Sequence, residues 1–320
     1  MSEIGIKDQC FGVEVEMTGI TRKQAAQALA AYFGTRPQYL GTGYDTWGVT
    51  DPEGKVWKLM RDASIRAERK NGGSYEFTGS GEYQVEMVTP KLTYAELPKL
   101  QECVRQVRHA GAKVNGSCGI HVHVDAANHN RQSLKNLIGI MYSKEDILFN
   151  ALKVNPERVE TYCKKVREPM LQKARRLSSE ETSDLTQLEK IWYEGNVSKT
   201  EHYNWTRYYA LNLHSVFYRG TVEWRCFNST LHAGKVAAYV NLCLAISAQA
   251  IAQRSTVMRK THSDNELFTF RVWLVRLGLN GDEFKHTRDH LLANLDGDRA
   301  WRHDKDSYKA NQRRNRQAER

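Results

Sequence analysis

Two imidazoles and a carboxylate alternate with three aliphatic residues in the stretch "NGSCGIHVHVDAANH" (residues 115–129), where His121, His123 and Asp125 oppose Ile120, Val122 and Val124. Alternation of this kind marks a half-buried strand, whose outer face ordinarily carries Lys, Thr, Ser or Glu. Histidines and an aspartate are a poor choice for solubility alone and a good one for holding a metal ion or a phosphate. The pattern recurs. In "FGVEVEM" the apolar Phe11, Val13, Val15 and Met17 leave Gly12, Glu14 and Glu16 opposite; "YQVEMV" sets Gln84 and Glu86 against Tyr83, Val85 and Met87; "GTVEWRCF" sets Glu223 and Arg225 against Val222, Trp224 and Cys226. Any one of these faces alone would read as solvated. If the four strands share one sheet, their polar faces coincide.

Residues two apart on a strand lie about 6.7 Å apart, too far for a Glu-x-Glu pair to chelate one ion and well suited to a row of them. Paired metals in phosphoryl-transfer sites sit roughly 3.5–4 Å apart, bridged by carboxylates from several strands. Crowded carboxylates oppose one another's ionisation, so something positive must be bound among them. Oxygen-rich ligation with one or two imidazoles suits magnesium or manganese, whereas zinc would draw more His or Cys. Arg225 beside Glu223, and Arg207 five residues before Asn212, are suited to gripping phosphate oxygens through charge-assisted hydrogen bonds, with His123 as a further donor. Taken singly, each arginine reads as a surface ion pair, Arg207 more readily than Arg225.

The elements that must position these groups are legible from capping and periodicity. A strand over 10–17 leads to a helix over about 21–33 with Thr21 as N-cap. Runs over 38–49 and 55–61 flank "TDPEG" and predict a hairpin; "NGGSYEFTGSGE" predicts an exposed loop. "TYAE" from Thr93 is a capping box before a helix whose Leu97, Leu100, Val104 and Val107 share one stripe, stopped at Ala110-Gly111. A helix over about 133–152 follows the histidine strand. Residues 156–203 are polar, mostly helical and charged, and predict an inserted cap or lid. "RYYALNLHS" and "GTVEWRCFNS" predict a hairpin, and helices over about 233–253, 265–277 and 283–295 close the chain. Hairpins mixed with helices, without strict β-α alternation, predict an α+β fold with a largely antiparallel sheet: one domain over 1–298 with its insertion, then a basic tail over 299–320.

Composition sets wider bounds. At 320 residues, 40% hydrophobic and 26% charged, the chain is long enough and apolar enough to bury an enzyme-sized core. No apolar run nears the roughly 20 residues that span a bilayer, and "MSEIGIKDQCFG" shows no secretory pattern, so a cytoplasmic protein with no membrane partner is expected. Six scattered cysteines without a C-x-x-C pair predict reduced thiols. The net charge of +10 attracts anions. Much of it is local: residues 298–320 hold eight Lys or Arg against four Asp or Glu, and a solvated tail is favoured there over nucleic-acid binding.

"NGSCGIHVHVD" resembles the "NGSGMHxH" segment of glutamine synthetase, "FGVEVEM" its Glu-x-Glu strand and "GTVEWRCFNST" its late "xExRxPD" strand. The closer resemblance is to the amidoligase family of the glutamine synthetase-like carboxylate-amine ligase superfamily. Its ordered pattern is met by Gly12 to Glu16, Trp57 to Ser64, Glu86 to Pro90, His121 to Val124, Arg207 to Asn212 and Thr221 to Arg225. That resemblance implies a glutamine synthetase-like, largely antiparallel curved sheet with flanking helices. It implies ATP as cofactor and two or three magnesium ions (or manganese), with Glu14, Glu16, Glu86, His121 and Glu223 as metal ligands. His123 and Arg225 would contact the transferred phosphate, with Asn212 on the nucleotide side and Arg207 as a further catalytic arginine. Asn115 and Gly116 would form the substrate loop. The extra residue in "NGSCGIH" shifts that loop against the glutamine synthetase pattern, and Asp62 falls to the substrate side or takes the place of a missing second glutamate.

The function so implied is ATP-dependent amide or peptide-bond formation through an acyl phosphate, with small-molecule or peptide carboxylates and amines as partners. The alternative is a metal-dependent phosphodiesterase or nuclease using the His-x-His and carboxylates. A third class, a nucleic-acid-binding module with an inert acidic face, rests on the tail alone. Neither the acceptor acid, the amine donor nor the oligomeric state is written in these residues.

Overall fold

The structure is a computed structural model and describes residues 4–178, 182–195 and 200–302; the end of the basic tail, from residue 303, lies outside the described residues. Strand β1 (Cys10–Met17) turns into helix α1 (Arg22–Phe33) through a reciprocal cap. Thr21 Oγ1 accepts from the Gln24 N–H at 3.2 Å, and the Gln24 side chain accepts from the Thr21 N–H at 2.8 Å.

The strand expected over 38–49 is broken into β2 (Gln38–Tyr39) and β3 (Trp47–Thr50). Between them Gly41 and Asp45 take positive φ, which a strand does not tolerate, and Asp45 is held there by an ion pair with the buried Arg22. Strand β4 (Val56–Met60) returns antiparallel to β3. The turn between them is organised by Asp51, whose carboxylate accepts from the N–H groups of Glu53 (3.1 Å) and Lys55 (2.9 Å), from Trp57 Nε1 (3.2 Å) and from Lys99 Nζ (3.0 Å). Asp51→Ala strands a buried indole N–H and a lysine together, so it is expected to cost about 2–4 kcal/mol, read as a lower urea midpoint at unchanged slope.

The stretch expected as an exposed loop instead contributes to a separate hairpin, β5 (Glu68–Asn71) with β6 (Ser74–Phe77). Its turn is Gly72-Gly73, with Gly72 at φ 59°, the left-handed geometry that two-residue hairpins require. Next come β7 (Val85–Val88), β8 (Leu92–Thr93), α2 (Leu97–His109), β9 (Gly119–Asp125) and α3 (Arg131–Leu152). The 156–203 stretch holds α4 (Pro156–Thr161), α5 (Glu168–Arg175) and α6 (Thr186–Trp192). It is polar outside, yet Met170, Leu171, Leu188 and Trp192 sink into the same apolar cluster as the sheet.

The hairpin expected from "RYYALNLHS" shrinks to the two-residue strand β10 (Leu211–Asn212), because α7 (His214–Arg219) occupies the connection and Gly220 at φ 77° ends it. Then follow β11 (Thr221–Asn228), α8 (Ala233–Ala252), α9 (Glu266–Arg276) and α10 (Lys285–Leu292).

The strands form an open sheet in the order β10-β11-β9-β1-β7-β4-β3-β2, with β8 also on β1 and every pairing antiparallel. The α+β expectation holds. Val13, Val15, Val122, Val124, Val222 and Trp224 are buried; α8 packs against β9, and α1 against β3 and β4. Helix α8 is long and apolar enough to cross a membrane, but most of it is buried in this core. The six cysteines are free thiols.

Candidate metal centre

Strand register brings the polar faces together. Glu14 pairs across from His121 and Gly12 from His123 on β1–β9; Glu16 pairs with Glu86 on β1–β7; His123 pairs with Glu223 on β9–β11. Directly opposed residues have their Cβ atoms only about 4.5–5.5 Å apart, so the side chains converge. His121 Nδ1 lies 2.8 Å from Glu14 and 3.7 Å from Glu223, and its Nε2 is 3.6 Å from Glu16. His123 Nε2 lies 3.3 Å from Glu14. Arg225 donates to Glu223 at 2.5 Å, and Asn212 Nδ2 donates to the other oxygen of that carboxylate at 2.6 Å. The Gly119 N–H donates to Glu16 at 2.6 Å.

Three overlapping sets of side chains bring ligand atoms within 4.8 Å of one another: Glu14, Glu86 and His121; Glu14, His123 and Glu223; Glu16, Asp62 and Glu86. Glu14 and Glu86 each belong to two sets, as bridging carboxylates would. The donors are hard oxygens with one imidazole at most per set, a chemistry that fits magnesium or manganese.

Electrostatics agree with that fit. Burial, then Asp62, push Glu16 up to about 8, and burial with Glu14, Asp62 and Glu16 raises Glu86 well above the carboxylate range. Burial would also raise Glu14, but His123 and His121 outweigh it and hold Glu14 well below its usual value. Arg225 and the two histidines likewise overcome burial to bring Glu223 down to about 2. Burial and Arg225 lower His121 to about 4, leaving a neutral imidazole able to ligate. His123 moves the other way, raised by Glu223 and Glu14 despite its burial. Without cations, then, protons on Glu16 and Glu86 occupy the place of positive charge.

The cluster floors a cavity of about 770 Å³, which Asp62, Asn212 and Arg207 also line. Tyr44 and Tyr203 meet hydroxyl to hydroxyl, 2.7 Å apart, where residues 40–46 approach the end of the helical stretch. His123 opens instead on a smaller cavity of about 320 Å³ with Lys91 and Thr221; Glu14 and Arg219 line both.

A family profile described as "Putative amidoligase enzyme" matches residues 7–247, a span that takes in every strand and every residue of the cluster. The chain belongs to the amidoligase family. Among solved structures it is similar to a bifunctional glutathione synthetase from Pasteurella multocida, at 12% identity and a TM-score of 0.33, over 91% of this chain and 48% of that one. The chain thus spans about half the length of that enzyme. Among curated proteins no sequence matches it.

Within this amidoligase, Glu14, Glu16, Glu86, His121, His123, Glu223, Arg225, Asn212 and Asp62 come together, and Arg207 stands on the cavity wall. Asn115 and Gly116 are not among the residues lining either cavity. The Asn115 amide is spent on the Arg66 carbonyl and Glu68, both at 2.8 Å, and its oxygen accepts from Ser117. Asp125 leaves the cluster at the end of β9, where it caps the following turn and pairs with Lys91. Sequence reasoning missed Arg158, Arg219, Tyr44 and Tyr203, all of which line the larger cavity. Gly119 was the available cue to Arg158, since glycine inside a strand often marks a close approach.

Proposed function

We propose that this amidoligase joins a carboxylate to an amine using ATP, through an acyl phosphate. The observation that carries the reading is the convergence of four glutamates and two histidines from β1, β7, β9 and β11, with Asp62 just beyond β4, into three overlapping ligand sets, and of Arg225 on Glu223 beside them. Magnesium or manganese bound there would neutralise phosphate charge and orient the oxygens that react.

The protein's own groups have distinct tasks. Glu14, Glu16, Glu86, His121 and Glu223 hold the cations. Arg225, fixed by Glu223, faces the transferring group, where a guanidinium stabilises charge that grows in the transition state. His123 reaches the phosphates from the smaller cavity, and Asn212 fixes the outer oxygen of Glu223. A substrate carboxylate oxygen attacks the γ-phosphorus as ADP leaves; the amine then attacks the acyl carbon and expels phosphate. Asp62 is assigned to the amine, whose proton must depart. The chemistry is positioning and charge stabilisation, which accords with a cluster that holds no Ser, Cys or Lys nucleophile.

The test is release of ADP from Mg·ATP against pooled amino acids and small peptides. Release that requires both an acid and an amine is expected, and it should rise as pH approaches 8, because Glu16 must lose its proton to solvent before its carboxylate can take a cation. Cleavage of nucleic acid without ATP would instead establish the phosphodiesterase reading.

A further inference from the structure

We propose that the part of the larger cavity lined by Arg158, Tyr162, His202, Tyr203, Arg207 and Tyr208 is the acceptor subsite, and that it selects an acid with a second anionic group, such as an acidic amino acid or a short peptide ending in one. The inference rests on the ligase reading and deepens it.

Arg158, on α4, is only 3% exposed. Its guanidinium lies on Gly119 so closely that a Cβ there would stand 2.2–2.6 Å from it. It donates once, to the Arg225 carbonyl at 3.2 Å; its Nε has no hydrogen-bond partner, and no carboxylate among the described residues forms an ion pair with it. Glu16 lies within its electrostatic reach, with no direct ion pair between them; a buried guanidinium that leaves its Nε unpartnered is costly, and an anion in the cavity that Arg158 lines would relieve it. Arg207 is the second. Its guanidinium sits 5.3 Å from the Tyr203 ring centre and 5.7 Å from that of Tyr208, with one long contact to the His202 carbonyl at 3.4 Å and no carboxylate partner among the described residues. The remaining arginines that line the cavity are engaged, Arg225 with Glu223, Arg219 with Glu14 at 3.5 Å and Arg61 with the Gln84 side chain at 2.8 Å.

Position separates this subsite from the nucleotide. Gly119 and His123 lie four residues apart on β9, about 13 Å along a strand, with His121 between them and His123 in the ligand set at the far end. In-line transfer puts the attacking oxygen and the departing ADP on opposite sides of the phosphorus. If phosphates enter at His123, the acceptor enters at Gly119. Two guanidinium forks on the wall of one cavity match two carboxylates: Arg158, on Gly119, takes the one that reacts, and Arg207 the one that does not.

The full chain with Mg·ATP and hydroxylamine provides the assay, because hydroxylamine attacks the acyl phosphate and leaves a hydroxamate and phosphate. Glutarate, L-glutamate and glutamate-terminated dipeptides are compared with butyrate and L-glutamine. We expect kcat/KM about tenfold or more higher for the diacids, a ratio that Arg207→Met collapses by raising the diacid KM. Gly119→Ala, which displaces the Arg158 guanidinium without removing it, should raise KM for every acid. Equal use of monoacids by the native protein, a ratio untouched by Arg207→Met, or weaker Mg·ADP binding in that variant would each overturn the proposal while leaving the ligase reading in place. Should no acid yield hydroxamate, calorimetric titration of glutarate and butyrate with Mg2+ and a non-hydrolysable ATP analogue decides: tighter glutarate binding that Arg207→Met abolishes supports the subsite, and no difference rejects it. The ligase reading itself fails separately, if Mg·ATP binding survives Glu223→Ala unchanged.

Discussion

Glu86→Gln is expected to lower ATP-dependent turnover by about three orders of magnitude and, without divalent metal, to make the protein more stable at pH 8. The two effects have one cause. Glu86 belongs to two of the three ligand sets, and in the absence of cations burial and its carboxylate neighbours keep it protonated. The folded-state pKa of Glu86, like that of Glu16, lies above its unfolded value, so the native state holds protons that the unfolded chain has shed. Metal-free stability therefore falls as pH climbs from about 5 towards 8 and beyond. His123, also raised, contributes in the same direction above pH 6.5. Glutamine keeps the shape and removes one charge, so the decline flattens. Thermal melts in chelator at pH 6 and 8.5, with magnesium titrations in two buffers of different ionisation enthalpy, measure both. The native protein should expel protons on binding metal and the variant fewer. A variant less stable than the native protein at both pH values would remove the repulsion argument.

Arg225→Met should cost about 3–5 kcal/mol, the usual result of stripping one partner from a buried pair, and lower Tm by roughly 10 °C. Glu223 is brought down to about 2 first by Arg225; left alone it would be a carboxylate sealed away from water beside Glu14. Turnover should vanish along with stability. The double change Arg225→Met with Glu223→Gln separates the two roles, since it removes both charges and should recover most of the stability and none of the activity. A melting temperature for Arg225→Met within about 1 °C of native would mean the pair carries little.

The site was legible where chemistry follows strand alternation. Val13 and Val15 against Glu14 and Glu16, or Val122 and Val124 against His121 and His123, state a buried face and a working face within eight residues, and antiparallel register then sets the working faces side by side. What could not be read locally depends on distant partners. Asp45 breaks the strand expected over 38–49 because Arg22 holds it in a left-handed conformation. Arg158 shares its charge and helical setting with Arg167 and Arg175, which are exposed; only the gap at Gly119 distinguishes it. The Gly72-Gly73 pair was a readable hairpin signal passed over for a loop. Asn115, assigned with Gly116 by likeness alone, ties the start of β5 through the Arg66 carbonyl and Glu68, Gly116 accepts from Asn155, and neither is among the residues lining the two cavities.

The contact between Tyr44 and Tyr203 has a consequence for the effect of salt. Two phenols make a contact with no net charge, and their mutual hydrogen bond holds the Tyr203 hydroxyl above its ordinary range. Dissolved salt therefore has little grip on it, while the half-buried Arg207 is screened as ionic strength grows and the buried Arg158 and Arg225 much less so. Rising salt should therefore loosen whatever anion Arg207 holds and leave the tyrosine pair across the cavity wall as it was.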